Sequence, residues 1–133
     1  MKIGELAQRA GVGIDTVRYY EREGLLPPAQ RLASGYRVYA QDDVLRLRFV
    51  RRAKALGFTL PEIRDLLTLS SHRDDDMGGM KAAATAKLAD VETKLAELAR
   101  IRAGLELLVA SCPGHGALAQ CPILNALAEE THE

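Results

Sequence analysis

The chain has no net charge: its 133 residues carry 18 Lys and Arg against 18 Asp and Glu at pH 7. It has no apolar run near the roughly 18 residues that cross a bilayer. Its first residues, Met-Lys-Ile-Gly-Glu-Leu-Ala, hold no apolar stretch long enough for a secretory leader. It has only two cysteines, too few for a disulfide framework. They are not at Cys-x-x-Cys spacing, and no His–carboxylate constellation accompanies them. These absences argue against a membrane span, a secreted disulfide scaffold and a thiol oxidoreductase or other enzyme. They predict a cytoplasmic protein whose thiols stay reduced. An apolar content of 47% excludes wholesale disorder.

The missing net charge is the one absence that misleads. Residues 1–58 carry eleven basic and six acidic side chains, whereas residues 59–133 carry seven basic and twelve acidic. A basic half joined to an acidic half points to a nucleic-acid-binding segment in the first half.

The apolar pattern divides the chain into four parts. Ile3, Leu6, Ala7 and Ala10 share a helical face, and Gly11 stops that helix. A second helix fits Ile14 to Glu23, with Asp15 and Thr16 at its start, Val17 and Tyr20 at core spacing and Gly24 beyond its end. Helix, Gly-containing turn, helix is the helix-turn-helix pattern. Pro27 and Pro28 forbid further helix, and Arg31 to Tyr39, with a Ser34-Gly35 turn, reads as a small β-ribbon or wing. Asp42 and Asp43 open a third helix with Leu45, Phe49, Ala53 and Leu56 as its apolar face, ended by Gly57. Thr59 and Glu62 form a Thr-x-x-Glu capping box for a fourth helix, with Pro61 in its first turn and Ile63, Leu66 and Leu67 on its buried side.

Ser70 to Gly79, with Asp74-Asp75-Asp76 and Gly78-Gly79, reads as a hinge. A long helix from Met80 to Ser111 follows. Its seam, Leu88, Val91, Leu95, Leu98, Ile101, Leu105, Leu108 and Cys112, advances by three or four residues in a near-heptad repeat. At about 1.5 Å per residue it reaches roughly 48 Å, longer than a small domain needs. Such a seam calls for a partner, most simply a second copy; the alternative is that it folds back on the first part. Pro113 and Gly114 end it, and a loop to Cys121 leads to a short helix from Pro122 to Ala128. The expected parts are therefore 1–69, 70–79, 80–111 and 112–133.

The second helix offers Thr16, Arg18, Tyr19 and Tyr20. Arginine donates paired hydrogen bonds to guanine or phosphate, and tyrosine hydroxyls reach phosphates. Arg31, Tyr36 and Arg37 on the wing, with Arg51, Arg52 and Lys54 on the third helix, extend the cationic strip. One tyrosine of the pair is expected to pack in the core.

The run Thr16-Val17-Arg18-Tyr19-Tyr20-Glu21-Arg22-Glu23-Gly24-Leu25-Leu26-Pro27 resembles the signature of MerR-family transcription regulators. Gly35-Tyr36-Arg37-Val38-Tyr39 and Ala55-Leu56-Gly57-Phe58-Thr59-Leu60-Pro61-Glu62-Ile63 resemble it too, in family order, across most of residues 1–69. The resemblance implies a mainly α fold: a winged helix-turn-helix domain, a long antiparallel coiled-coil dimerisation helix and a C-terminal metal-binding loop. It implies a homodimer on a palindromic promoter operator, working with RNA polymerase holoenzyme. It carries DNA contact onto Arg18, Tyr19 or Tyr20, Arg31, Tyr36 and Arg37, and less firmly onto Lys54.

Cys112 and Cys121 enclose eight residues, Pro113 to Gln120. On spacing alone the pair fits a soft-metal site, two buried structural cysteines or an incidental disulfide. Thiolates favour Cu(I), Ag(I), Au(I) or Hg(II), and borderline Zn(II), Cd(II) or Pb(II). Cys-Pro-Gly, a short loop, then Cys-Pro-Ile-Leu resembles the metal loop of the family's metal-responsive branch. Divalent-ion sensors of that branch place a third cysteine at the start of the partner's long helix, and monovalent sensors place a serine there. The corresponding residue here is Met77, a departure from both. Two thiolates without a third suit a +1 ion, so Cu(I), Ag(I) or Au(I) is the first expectation. The eight-residue loop and a possible third ligand in His115 keep Zn(II), Cd(II), Pb(II) and Hg(II) as the second. Met77 is a further soft donor or plain packing. His72 and Asp74 to Asp76 either assist or form a solvated hinge, and His132 is expected to be exposed and uninvolved. The expected function is a metal-responsive transcription activator that distorts its promoter. The rival is a DNA-binding sensor of redox state or an organic ligand, for which four cysteines or an appended ligand domain are wanted.

Overall fold

The computed structural model describes residues 1–129. The elements are α1 (Ile3–Ala10), α2 (Ile14–Arg22), β1 (Gln30–Arg31), β2 (Arg37–Val38), α3 (Gln41–Ala55), α4 (Leu60–Ser71), α5 (Gly78–Ser111) and α6 (Pro122–Ala128), with a 3₁₀ turn at Leu118–Gln120. The fold is mainly helical. The chain forms two compact units, Met1–Lys87 and a second beginning at Leu88. The first turns of α5 thus belong to the first unit. No described helix is long and apolar enough to cross a membrane.

The core of the first unit joins Leu6, Ala7 and Ala10 of α1 to Val17 and Tyr20 of α2. Leu25 and Leu26 follow, with Val44, Leu47, Val50 and Ala53 of α3 and Ile63, Leu66 and Leu67 of α4. Enclosing a Leu, Val or Ile side chain contributes about 1.5–3 kcal/mol, and Leu6, Leu25, Leu26, Leu47 and Ile63 are fully enclosed. The tight α1–α2 angle depends on Gly11. Its φ of +73° is the left-handed conformation that a Cβ penalises. Gly11 N–H donates to the Gln8 carbonyl (3.2 Å) and Val12 N–H to that of Ala7 (3.0 Å). The last carbonyls of α1 are thereby satisfied, and α2 starts three residues later.

One expected face is corrected. α3 buries Val44, Leu47, Val50 and Ala53, not Leu45, Phe49 and Leu56. The helix carries two apolar stripes, and packing against α1 and α4 selects the first. Leu45 and Leu56 are exposed, and Phe49 is only half-buried. The α4 cap is as expected: Glu62 N–H donates to Thr59 Oγ1 (3.4 Å) and Thr59 N–H to Glu62 Oε1 (2.7 Å). β1 and β2 pair antiparallel, Gln30 opposite Val38 and Arg31 opposite Arg37. The turn between them uses Gly35 at φ +87°.

α5 begins at Gly78, so Gly78-Gly79 lies in its first turn and not in the preceding break. Within the first unit Ala83 packs against the core, and Lys87 is buried at 6% exposure. Its ammonium lies 2.8 Å from Glu62 Oε1 and 5.6 Å above the Phe58 ring. Beyond it the apolar seam is uncovered: Leu88, Leu95, Leu98, Ile101 and Leu105 are all exposed.

Candidate DNA interface and candidate metal centre

Helix α2 presents Arg18 and Tyr19 to solvent, with Thr16 half-buried at its start. The two tyrosines part company. Tyr19 is 39% exposed and Tyr20 is 3% exposed. Tyr20 is therefore core, and the expectation that it contacts DNA is corrected. It lies three positions after Val17, which puts both on the inward face. Its ring supports the surface from beneath, 5.6 Å from the Tyr19 ring and 5.9 Å below the Lys54 ammonium. Arg18 Nη1 sits 3.9 Å from Asp15 Oδ1, a loose solvent-exposed pair that leaves the guanidinium available.

On the wing, Arg31 and Arg37 are direct cross-strand partners. Like charges in that position repel, so the pairing is favoured by an anion between or above them. Tyr36 is exposed near the wing tip, with the Lys2 ammonium 5.0 Å from its ring. The wing is braced to α2 by Glu21. Its Oε2 accepts a 2.7 Å hydrogen bond from the Tyr39 hydroxyl, and its Oε1 accepts one from Ala29 N–H at 3.2 Å. Burial first, then the hydrogen bond and charge of Glu21, push the Tyr39 phenol from 10.0 up to about 12. A second brace holds the end of α2: Arg64 Nη2 donates to the Glu23 carbonyl at 2.6 Å.

In the second unit, Cys112 follows the last residue of α5 and Cys121 caps the first turn of α6. Gly114 and Gly116, at φ +80° and +108°, fold the loop between them. The two thiols come together, Sγ to Sγ 3.9 Å, with no disulfide bond. Leu124 N–H, 3.5 Å from Cys121 Sγ, is foremost in lowering that thiol's pKa, as the donors of a helix start do. The loop surrounds a hollow of about 320 Å³.

His115 is exposed on the same loop, its Nδ1 3.2 Å from the Pro113 carbonyl. Among the described residues no cluster of three His, Cys, Asp or Glu side chains forms, so His115 does not join the thiols in this chain. Met77, 82% exposed, lies just before α5 in the first unit. His72 pairs with Asp75 (Nδ1–Oδ2 3.3 Å), and Asp76 caps Gly78 N–H at 2.6 Å; both are local loop contacts. His132 lies outside the described residues.

The sequence model described as "MerR HTH family regulatory protein" matches residues 1–69, and that described as "MerR, DNA binding" matches residues 44–108. The mercuric resistance operon regulatory protein of Bacillus cereus is 40% identical over 126 residues, covering 95% of this chain and 96% of that protein.

The chain belongs to the MerR family.

Solved structures that resemble it include the following two. One is the transcription regulator PbrR691 from Ralstonia metallidurans CH34 in complex with lead(II): TM-score 0.86, 41% identity, 96% of this chain and 99% of that one. The other is HiNmlR, a MerR-family regulator lacking the sensor domain, bound to promoter DNA: TM-score 0.57, 26% identity, 83% of each chain.

The long-range partners in the first unit were not legible in the sequence. Tyr39 ends the Gly35-Tyr36-Arg37-Val38-Tyr39 run, and its partner Glu21 lies 18 residues away. Lys87 reads as one more solvated charge of the long helix, although it is buried against Glu62. The Thr-x-x-Glu box marked Glu62, but nothing local announced its second partner.

Proposed function

We propose that the chain is a homodimeric transcription regulator, not an enzyme. It holds a palindromic promoter operator through α2 and the β1–β2 wing. It responds to a soft, thiophilic ion at Cys112 and Cys121, with Hg(II) and Pb(II) the favoured class. The observation that carries this reading is the thiol pair at 3.9 Å. Two thiolates at about 2.3 Å from one ion in a tetrahedral site lie about 3.8 Å apart, so the pair can close on a single ion with little movement; the choice of ion rests on the relatives. The names of the relatives support the same class, one for mercury resistance and one holding lead(II). This reverses the order drawn from Met77, which put Cu(I), Ag(I) and Au(I) first. The monovalent reading stands second, on the lack of a third His, Cys, Asp or Glu beside the thiols among the described residues. Zn(II) and Cd(II) remain within the divalent class.

The uncovered seam of α5 fits a second copy of itself. A bound ion supplies two metal–thiolate bonds between the end of α5 and the start of α6. Cys121 caps α6, so the position of that helix is tied to the site. The response is a population shift, and moving a two-state equilibrium from 1:99 to 99:1 takes about 10⁴-fold tighter binding to the activating state. In that state the operator is bent and underwound, and its promoter elements realign for RNA polymerase.

The test is in vitro transcription with RNA polymerase holoenzyme, titrating Hg(II), Pb(II), Zn(II), Cd(II), Cu(I) and Ag(I). Activation is expected at the lowest concentrations with Hg(II) or Pb(II). Cys112→Ser and Cys121→Ser should abolish it while DNA binding persists, and Met77→Cys should strengthen the response to divalent ions. Activation by Cu(I) and Ag(I) alone would restore the monovalent reading. A normal response from either serine variant would misplace the site.

A further inference from the structure

We propose that the first turn of α4 relays the metal response from α5 to α2, with Lys87 and Arg64 as the positioning residues on its two sides. The proposal rests on the regulator reading above. Cys112 follows the last residue of α5, and the first turns of that helix belong to the DNA-binding unit. A movement that an ion imposes on α5 therefore reaches that unit through whatever holds those turns. Ala83 packs there by apolar contact, which is non-directional and yields to sliding. Lys87 is different. Among the described residues it is the one buried charge, at 6% exposure. Its ammonium lies 2.8 Å from Glu62 Oε1, and the same oxygen accepts the Thr59 N–H at 2.7 Å. The start of α5 is thus tied to the capped first turn of α4 by a short, charged and directional contact.

The other side of that turn holds α2. Arg64 comes two residues after Glu62, which places it about 200° further round the helix. Its Nε and Nη2 donate to the Glu23 carbonyl at 3.1 and 2.6 Å, and Nη2 also lies 3.3 Å from Glu23 Oε2. Glu23 is the C-cap of α2, where a cation also suits the helix dipole. One turn of α4 is therefore gripped by α5 on one side and grips the end of α2 on the other. Ile63, between the two, is fully enclosed in the core. No loop lies between the two contacts to absorb a displacement, so a shift of Lys87 is passed to Glu23. Glu23 ends the helix that carries Arg18 and Tyr19. Such a chain of packed and hydrogen-bonded groups is the physical form that coupling between separate sites takes.

The experiment measures hydrogen–deuterium exchange of the full chain with and without Hg(II), read at the amides of α2. Uptake of Hg(II) by the thiols is followed separately, through the ultraviolet sulfur-to-mercury charge-transfer absorption. In the wild type, Hg(II) is expected to change α2 exchange by at least about fivefold, the lower end of coupling between separate sites. Lys87→Met and Arg64→Met should each cut that change to less than about twofold, while the absorption keeps its amplitude. Ile63→Val removes one methylene from the same turn and leaves both contacts in place; it lowers stability and should keep the full change. A full change in either methionine variant overturns the relay. So does a loss in Ile63→Val equal to theirs, which would make the effect one of stability. A wild type that takes up Hg(II) with no change in α2 overturns it as well. A wild type without the Hg(II) absorption overturns the metal reading itself, and the relay with it.

Discussion

Replacing Tyr39 by Phe removes one oxygen from the wing brace and leaves the ring in place. The hydroxyl donates to Glu21 at 2.7 Å from a buried ring. A hydrogen bond to a charged partner contributes about 1.5–3 kcal/mol net. Glu21 is half-buried and keeps its bond from Ala29 N–H, so part of the lost interaction is recovered by water. The expected loss is about 1–2 kcal/mol, allowing for that recovery. For a domain of 60–100 residues each kcal/mol moves Tm by about 4–8 °C, which predicts a drop of about 5–15 °C. Thermal unfolding followed by circular dichroism at fixed protein concentration measures it. The pH dependence supplies an independent check. Folding raises the Tyr39 phenol from 10.0 to about 12. Its contribution is therefore fully present below pH 10 and is lost as pH rises toward 12. The Tm values of wild type and variant should converge over that interval. DNA affinity should fall as well, because Arg31, Tyr36 and Arg37 are carried by the braced wing. An unchanged Tm at pH 7, or strict additivity with Glu21→Gln, would refute the brace.

Arg18→Ala should weaken duplex binding by at least several-fold and flatten its salt dependence; salt-independent binding of the wild type would count against the basic half as a DNA surface. Glu62 gives an acid limb to the stability of the first unit. The Lys87 ammonium, then the backbone N–H and side chain of Thr59, lower its carboxyl from 4.5 to about 2. Its contribution is present above pH 4.5 and is lost as pH falls toward 2. Glu62→Gln should remove that portion of the acid-induced loss, and an unaltered acid transition would show that the Lys87–Glu62 pair does not contribute to it.

What the sequence made legible was local. The Thr59–Glu62 cap spans three residues, so the spacing alone specified both hydrogen bonds. The stops at Gly11 and Gly24 follow from the freedom of glycine at positive φ, and the Ser34-Gly35 turn was readable between two short extended runs. The inward face of α4 was clear because its apolar residues form one stripe. On α3 two stripes compete, and the choice between Val44-Leu47-Val50 and Leu45-Phe49-Leu56 belongs to what α1 and α4 place opposite them. The Tyr19-Tyr20 pair was more legible, since about 100° of rotation per residue keeps Tyr20 on the face of Val17 and turns Tyr19 outward.

The partition of charge, the order of helices and wing, and a thiol at each end of a glycine-containing loop were determined by the sequence itself. Tertiary structure decided which side chains meet across distance. It joined Tyr39 to Glu21, Lys87 to Glu62 and Arg64 to Glu23. It also set the two sulfurs 3.9 Å apart, close enough to share one ion. Helical periods and caps act within about four residues and are written in spacing. Ion pairs and donor separations depend on how packed elements cross, and no local pattern records that.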